Sequence, residues 1–374
     1  IVLSYTGMFK DPTPGGTKPG CEEAFVSAEA WVRYANIINA YGIKYWMIGN
    51  ESYNTNEHSY NGFATKEQYR DDVKELSQRL KTIDPSIKII ANGNTNDWWE
   101  TVLGGASAHI DYLGISNFPV WEFKEGYNYY RNNTPELKQS IDRAINSIYA
   151  FAPEADKARL KLIVTEVNCM DWEGSWENNN DLGHCLVTFE ILGEQLNEEH
   201  IKASLFWSTR WLKFDRMTEI SSAINDSGHI SPNGKAIEIW GNFIGNKMVA
   251  LNSTSIIRTF ASCDSEQNKL FVYIINKDFH AKPVKLNLEN FPAKKAILRQ
   301  FSGSGPLDRN PVLSLKYDIE AIENNFLVLL PAVSLTILEI SQEENSIAKK
   351  TAYSHLIIYP NPSKGIITVG LTPY

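Results

Sequence analysis

Along roughly the first 245 residues, short unbroken apolar runs alternate with stretches whose apolar positions recur at spacings of three and four. The runs are "IVLSYTG", "IKYWMI", "IKIIANG", "IDYLGISNF", "LKLIVTEV" and "IKASLFWST". Continuous rather than alternating hydrophobicity predicts strands buried on both faces, the mark of a parallel sheet. The intervening spacing predicts helices. One covers about Ser27 to Ala40, with Trp31, Tyr34, Ala35 and Ile38 sharing a face and Gly42 at the C-cap. A second opens on the capping box Thr65-Lys66-Glu67-Gln68 and aligns Tyr69, Val73, Leu76, Leu80 and Ile83 before Asp84-Pro85 stops it. A third starts at Thr134-Pro135, carries Leu137, Ile141, Ala144 and Ile148, and closes at Pro153. Asp181 to Leu196 and Pro232 to Ile244 are predicted as further helices. Repeated strand-then-helix units point to a parallel α/β fold. Six strands are read, where a closed (β/α)8 barrel has eight.

After about Lys247 the texture changes. "KLFVYIINK", "PVKLNLENF", "AILRQFSG" and "NFLVLLPAVSLTILEIS" are short β-rich runs separated by turn residues, which predicts an antiparallel β-sandwich. The expected organisation is an α/β barrel domain over 1–246, a sandwich over 247–342, a polar linker over 343–355 and a last segment over 356–374.

Composition narrows the function. With 43% hydrophobic and 21% charged residues, the 374-residue chain has the make-up of a globular protein large enough for two domains. A net charge of −8 argues against nucleic acid as the partner, because phosphate binding wants clustered Lys and Arg. No apolar run reaches the roughly 18 residues of a membrane span. Cys21, Cys169, Cys185 and Cys263 form no CxxC and no metal-ligand spacing. Cys169 and Cys185 are close enough in sequence to bridge, and four free thiols are an equal alternative. Glycine-rich nucleotide motifs, HExxH and a serine nucleophile elbow are all lacking, so no cofactor and no metal are expected. The 10 Trp, 17 Tyr and 16 Phe would suit a cleft whose rings stack on sugars, although core packing accounts for most such residues.

The candidate chemistry sits where buried strands end. In a parallel α/β barrel the C-terminal ends of the strands face the active-site mouth. "KYWMIGNE" delivers Asn50 and Glu51 there, and "LKLIVTEVN" delivers Glu166. Two carboxylates about 5 Å apart are what retaining glycoside hydrolysis needs, one as nucleophile and the other as acid and then base. The charge of the nucleophile is expected to raise the pKa of its partner. An amide beside the acid can hydrogen-bond the sugar 2-hydroxyl. Glu57, Glu122 and Glu173 fall in predicted loops and suit a solvated or substrate-rim place. His58, His109, His184 and His229 are read as structural or solvated.

"KYWMIGNESY" resembles the acid/base strand of clan A glycoside hydrolases, especially family fifty-one, the α-L-arabinofuranosidases. The resemblance runs through "SAEAWVRYAN", "LKTIDPSIKIIANG", "HIDYLGIS", "IVTEVN" and "LVLLPAVSLTILEI", over roughly 340 residues. It implies a (β/α)8-type barrel followed by a β-sandwich, with Glu51 as acid/base, Glu166 as nucleophile and Asn50 as the 2-hydroxyl contact. Its order makes "IVLSYTG" the third strand, so the barrel is expected to lack its first two strands and to leave the first and last strands read here unpaired on their outer sides.

The sequence departs from that family in places. Ser116-Asn117 stands where it usually has His-Tyr, and Val167-Asn168-Cys169 follows the nucleophile. Trp207 to Trp211 ends the last strand as an aromatic wall. Asn117, Trp172 and Trp207 are the expected further substrate contacts. A polysaccharide or oligosaccharide substrate is implied. The alternatives are an endo-β-1,4-glucanase or xylanase of the same clan, and a non-catalytic carbohydrate-binding or scaffold protein on a degenerate barrel. The tail "IIYPNPSKGIITV" resembles the start of the C-terminal sorting domain of the type IX secretion system of Bacteroidetes. It implies that machinery as a partner and a secreted or cell-surface location.

Overall fold

A computed structural model of the protein describes residues 1–5, 21–54, 64–119, 126–133, 136–169, 180–210, 222–249, 253–264, 266, 268–289, 291–314, 317–342, 353–361 and 366–373. The helices are α1 (Cys21–Val32), α2 (Lys66–Ile83), α3 (Asn96–Ala106), α4 (Tyr127–Asn132), α5 (Gln139–Phe151), α6 (Glu154–Lys157), α7 (Leu182–Leu196) and α8 (Pro232–Asn242). The chain forms two compact units. The first holds Ile1–Asn117, Lys138–Val167 and Glu199–Phe206, and the second holds Phe118–Leu137, Asn168–Glu198 and Trp207–Tyr374.

The first unit is built on six strands: β1 (Val2–Leu3), β2 (Tyr45–Ile48), β3 (Lys88–Asn92), β4 (Tyr112–Asn117), β5 (Lys161–Val167) and β6 (Ile201–Phe206). They lie side by side in chain order, all parallel, as a curled half-barrel sheet. β1 and β6 are its two edges and do not pair with each other. This is the arrangement expected of six strands, because closure fixes strand number, tilt and stagger together. The middle strands are buried on both faces. Met47, Ile90 and Ile163 pack together on one side, joined by Tyr45 and Tyr112, while Trp46, Ile89, Leu113 and Leu162 are buried on the other. The edges are not covered in this way: Val2 and Leu205 are each at least half exposed.

Local signals set the helices. The predicted capping box is present: the Gln68 amide N–H donates to Thr65 Oγ1, and the Thr65 N–H donates to Gln68 Oε1. Tyr69, Val73, Leu76 and Leu80 then form the buried stripe of α2. Ile141, Ala144 and Ile148 do the same for α5, while Thr134-Pro135 lies outside the described residues. The first helix departs from expectation. It starts at Cys21 and passes at Arg33–Ile38 into a π-helical turn. The stripe Phe25, Ala28, Val32 and Ala35 is buried, whereas Trp31, Tyr34 and Ile38 of the expected face are exposed. Two apolar stripes run along this segment, and spacing alone does not rank them.

Gly49 shows how tightly the first unit is drawn at the end of β2. Its φ is +73°, and a Cβ there would come within 2.4 Å of Ser52 Oγ and 2.9 Å of Tyr5 Cβ. Gly49→Ala is expected to cost about 2 kcal/mol or more, from left-handed backbone strain plus the clash. Chemical denaturation of the purified variant checks this.

The second unit carries the remaining strands: β7 (Lys247–Val249), β8 (Ile257–Asp264), β9 (Lys269–Asn276), β10 (Lys282–Glu289), β11 (Lys295–Ser302), β12 (Val312–Leu313), β13 (Tyr317–Glu320), β14 (Asn325–Leu330), β15 (Ser334–Ser341), β16 (Tyr353–Asn361) and β17 (Ile366–Pro373). One sheet runs β12-β11-β15-β9-β8-β7, with β13 also paired to β11, and a second runs β14-β10-β17-β16. Leu270, Val272 and Leu338 of the first sheet share a core with Leu286, Phe326 and Val328 of the second. The tail strands belong to the second sheet, because β17 pairs parallel with β10 from Lys285↔Ile366 to Glu289↔Gly370. That pairing was not expected of a separate last segment.

Nor do the compact units follow a boundary at residue 246, since α7 and α8 fall in the second one. An aromatic cluster explains this. Phe189 of α7 stacks on Trp240 of α8 at 4.4 Å, and both rings meet Phe260 and Tyr273 of the first β-sheet. Nearby, the fully buried Glu190 accepts hydrogen bonds from Tyr130 and Arg258 and pairs with Lys277 Nζ at 2.9 Å, so its buried charge is compensated. Cys169, Cys185 and Cys263 are free thiols, so the bridge between Cys169 and Cys185 is not made. Among the described residues no helix is long and apolar enough to cross a membrane.

Candidate active site

Each candidate residue of the first unit is placed by a backbone device at a strand end. After β2 the chain turns at Gly49, and Glu51 itself adopts φ +45°. The Asn54 N–H donates to the Glu51 carbonyl at 2.8 Å, closing a tight turn over 51–54. A left-handed glutamate costs on the order of 1–3 kcal/mol, so the surrounding contacts must impose it. Asn92, the last residue of β3, supplies several of them. Its Oδ1 accepts from the Ser52 N–H at 2.8 Å, and its Nδ2 donates to the Ile48 carbonyl at 2.7 Å. Tyr69 of α2 also donates to the Ile48 carbonyl, at 2.8 Å. A buried clamp of side chains thus holds the segment that carries Glu51.

Glu166 is aimed differently. The β4–β5 ladder pairs Ile115 with Val164 and then Ser116 with Glu166, skipping Thr165. Such a bulge re-aims the side chain that follows it. It sets Ser116 beside Glu166. Asn50 Nδ2 donates to Glu166 Oε1 at 3.2 Å, tying the end of β2 to the end of β5 although 115 residues separate Glu51 from Glu166.

Burial, and then the Glu51 carboxylate, push the Glu166 carboxyl up to about 7, while the Asn50 hydrogen bond pulls it partly back. The upward shift expected for the acid partner is found on Glu166, with burial as its largest cause.

The remaining candidates are placed as follows. Asn117 is only 1% exposed, and its Oδ1 accepts from Ser140 Oγ at 2.8 Å. That bond fixes the end of β4 to α5. Trp207 lies in the second unit, half-buried, with its ring edge-on to Phe118 at 6.0 Å and its carbonyl accepting from Asn168 Nδ2 at 2.7 Å. Trp172 falls outside the described residues, as do His58, Glu57, Glu122 and Glu173. Among the described residues no group of His, Cys, Asp and Glu is placed to hold a metal ion. Sequence reasoning missed Asn92 and Tyr53. Asn92 carried a usable signal, since "IKIIANG" ends on a polar residue just as "IKYWMIGNE" does.

The fold and the strand ends can now be set beside known proteins. Over 84% of this chain and 73% of the other, the protein superposes on the α-L-arabinofuranosidase of Thermotoga maritima, solved as an arabinose complex, with a TM-score of 0.69 and 20% identity. It shares the fold of glycoside hydrolases. The bifunctional glucanase-xylanase CelM2 from a metagenome library matches with a TM-score of 0.63 and 18% identity, over 85% of this chain and 69% of that one. In sequence, the chain is 27% identical over 174 residues to intracellular exo-α-(1→5)-L-arabinofuranosidase 1 of Bacillus subtilis. That match takes in 42% of this chain and 32% of the relative, so it spans about a third of the relative's length. No family model matches the chain.

Proposed function

We propose that the protein is a retaining glycoside hydrolase acting on plant cell-wall polysaccharide, most like an α-L-arabinofuranosidase. One observation carries the reading. Two strand ends far apart in sequence are tied by Asn50, which donates to Glu166, and Glu166 feels the charge of Glu51. In this reading Glu166 attacks the anomeric carbon. Glu51 protonates the leaving oxygen, then takes a proton from the water that releases the sugar. Asn50 holds the nucleophile and offers its amide to the sugar 2-hydroxyl.

The nucleophile must be ionised to attack, and burial holds Glu166 up at about 7. The rate should therefore rise as pH rises through about 7, the limb expected when loss of one proton activates the nucleophile. Product analysis on arabinoxylan, with NMR of the first-formed anomer, tests the reading. Release of arabinose with retained configuration supports it. Inversion overturns the assignment of Glu166 as a nucleophile that forms a glycosyl-enzyme. Binding of arabinoxylan with no turnover, even of 4-nitrophenyl arabinofuranoside, points to a non-catalytic binding protein.

The likeness to CelM2 favours a second reading, an endo-β-1,4-glucanase or xylanase. Turnover of carboxymethylcellulose or unbranched xylan in preference to arabinoxylan selects it. We read the parallel sheet as part of a (β/α)8-type barrel, and the two β-sheets with a common core as a β-sandwich. We also propose export by the type IX machinery, from the tail motif alone. Loss of export in the native host after removal of residues beyond Gln342 would support that proposal.

A further inference from the structure

The turn that carries Glu51 also folds Tyr53 back towards it. The Tyr53 hydroxyl donates to Glu51 Oε1 at 3.3 Å. Ser116, the ladder partner of Glu166, lies near enough to influence the phenol, so Tyr53 sits between the two strand ends that carry Glu51 and Glu166. The Tyr53 ring is half-buried and held edge-on by Trp98 at 6.3 Å, and Trp98 is itself packed on Tyr69 at 5.1 Å. Three rings therefore fix where the hydroxyl points. Burial and the neighbouring Glu51 charge push the phenol well above its ordinary value, so it stays a donor across the working pH range.

We propose that Tyr53 is a positioning residue for the acid/base: by occupying Oε1 of Glu51 it leaves Oε2 as the oxygen that exchanges a proton with the leaving group and then with water. A carboxylic acid has two oxygens, and a freely rotating one offers the wrong oxygen part of the time. A fixed donor on one of them removes that freedom. The 3.3 Å separation is long for a hydroxyl–carboxylate bond, which suits a contact that shortens once substrate closes the site. The inference rests on the hydrolase reading above and deepens it.

Tyr53→Phe tests it, because the ring and its packing on Trp98 are kept and only the hydroxyl is lost. Substrates with poor leaving groups need the proton from Glu51, whereas aryl glycosides with good leaving groups hardly do. The variant should lose on the order of tenfold more kcat on the former than on the latter, with KM nearly constant. Equal losses on both classes, or a loss confined to KM, would overturn the positioning role. A second measurement does not depend on turnover. Proton NMR should show a protected hydroxyl resonance that vanishes in Tyr53→Phe and shifts in both Glu51→Gln and Ser116→Ala. A resonance that ignores Glu51→Gln refutes the contact. A wild-type protein without hydrolysis in which this pattern is intact would instead sink the hydrolase reading while leaving the contact between Tyr53 and Glu51 standing.

Discussion

Replacing Glu166 by glutamine should abolish turnover of every substrate and, at the same time, make the protein more stable in alkaline solution. The first effect follows from chemistry: an amide cannot form the glycosyl-enzyme, whatever the leaving group. The second follows from linkage. In the folded protein the Glu166 carboxyl is raised to about 7, from an ordinary value of 4.5. The folded state therefore keeps a proton that the unfolded chain has already lost. Stability falls as pH rises between these two values, and above about 7 a buried negative charge weighs on the fold. Glutamine removes that charge and still accepts from Asn50. The gain at pH 8 should be about 2 kcal/mol, since residual contact with solvent screens part of the full shift. At pH 4, where both states hold the proton, there should be none. Denaturant titrations at the two pH values decide it: an equal effect at both would show that Glu166 is not the enclosed, charge-bearing member of the pair.

Glu51→Ala should separate substrates by their leaving group. Natural linkages depart as alkoxides and need a proton, so kcat should fall by about 10²–10⁴-fold. A dinitrophenyl glycoside departs unaided, so its first step should be nearly spared and the glycosyl-enzyme should accumulate as a burst. Water then lacks a base, and the second step becomes the slow one. Azide needs no base. It should restore part of the rate and yield a glycosyl azide of retained configuration. If alanine slows the dinitrophenyl substrate as severely as arabinoxylan, and azide does nothing, Glu51 is not the acid/base. The Ser52 N–H contact with Asn92 and the turn to Asn54 use backbone atoms of 51–54 or the neighbouring side chain. Truncation of Glu51 should therefore leave the turn in place.

Much of this was legible in the sequence, because its signals were local. The capping box at Thr65 and Gln68 depends on four residues and formed as expected. The unbroken apolar runs predicted buried parallel strands, and β2 to β5 are such strands. Glu51 and Glu166 stood out because each follows an apolar run predicted to be buried. Asn50, one residue earlier, was read with the same logic.

Other features depend on distant partners, and only the tertiary structure decided them. Which stripe of α1 is buried turns on what lies opposite, so Val32 and Ala35 are inside while Trp31 and Tyr34 face out. The grouping of α7 with the second unit rests on Phe189 meeting Phe260 and Tyr273, contacts between residues more than seventy positions apart. Asn117 was read as a substrate contact from its place at the end of β4, and only the tertiary structure shows that its oxygen accepts from Ser140 of α5. The proton balance of the carboxylate pair was read from roles alone, whereas burial, a three-dimensional quantity, places the upward shift on Glu166. Tyr53 acquires its meaning last. In sequence it is an aromatic residue in a turn, and only when Asn92 clamps the backbone and β4 brings Ser116 alongside does its hydroxyl come to rest on Glu51.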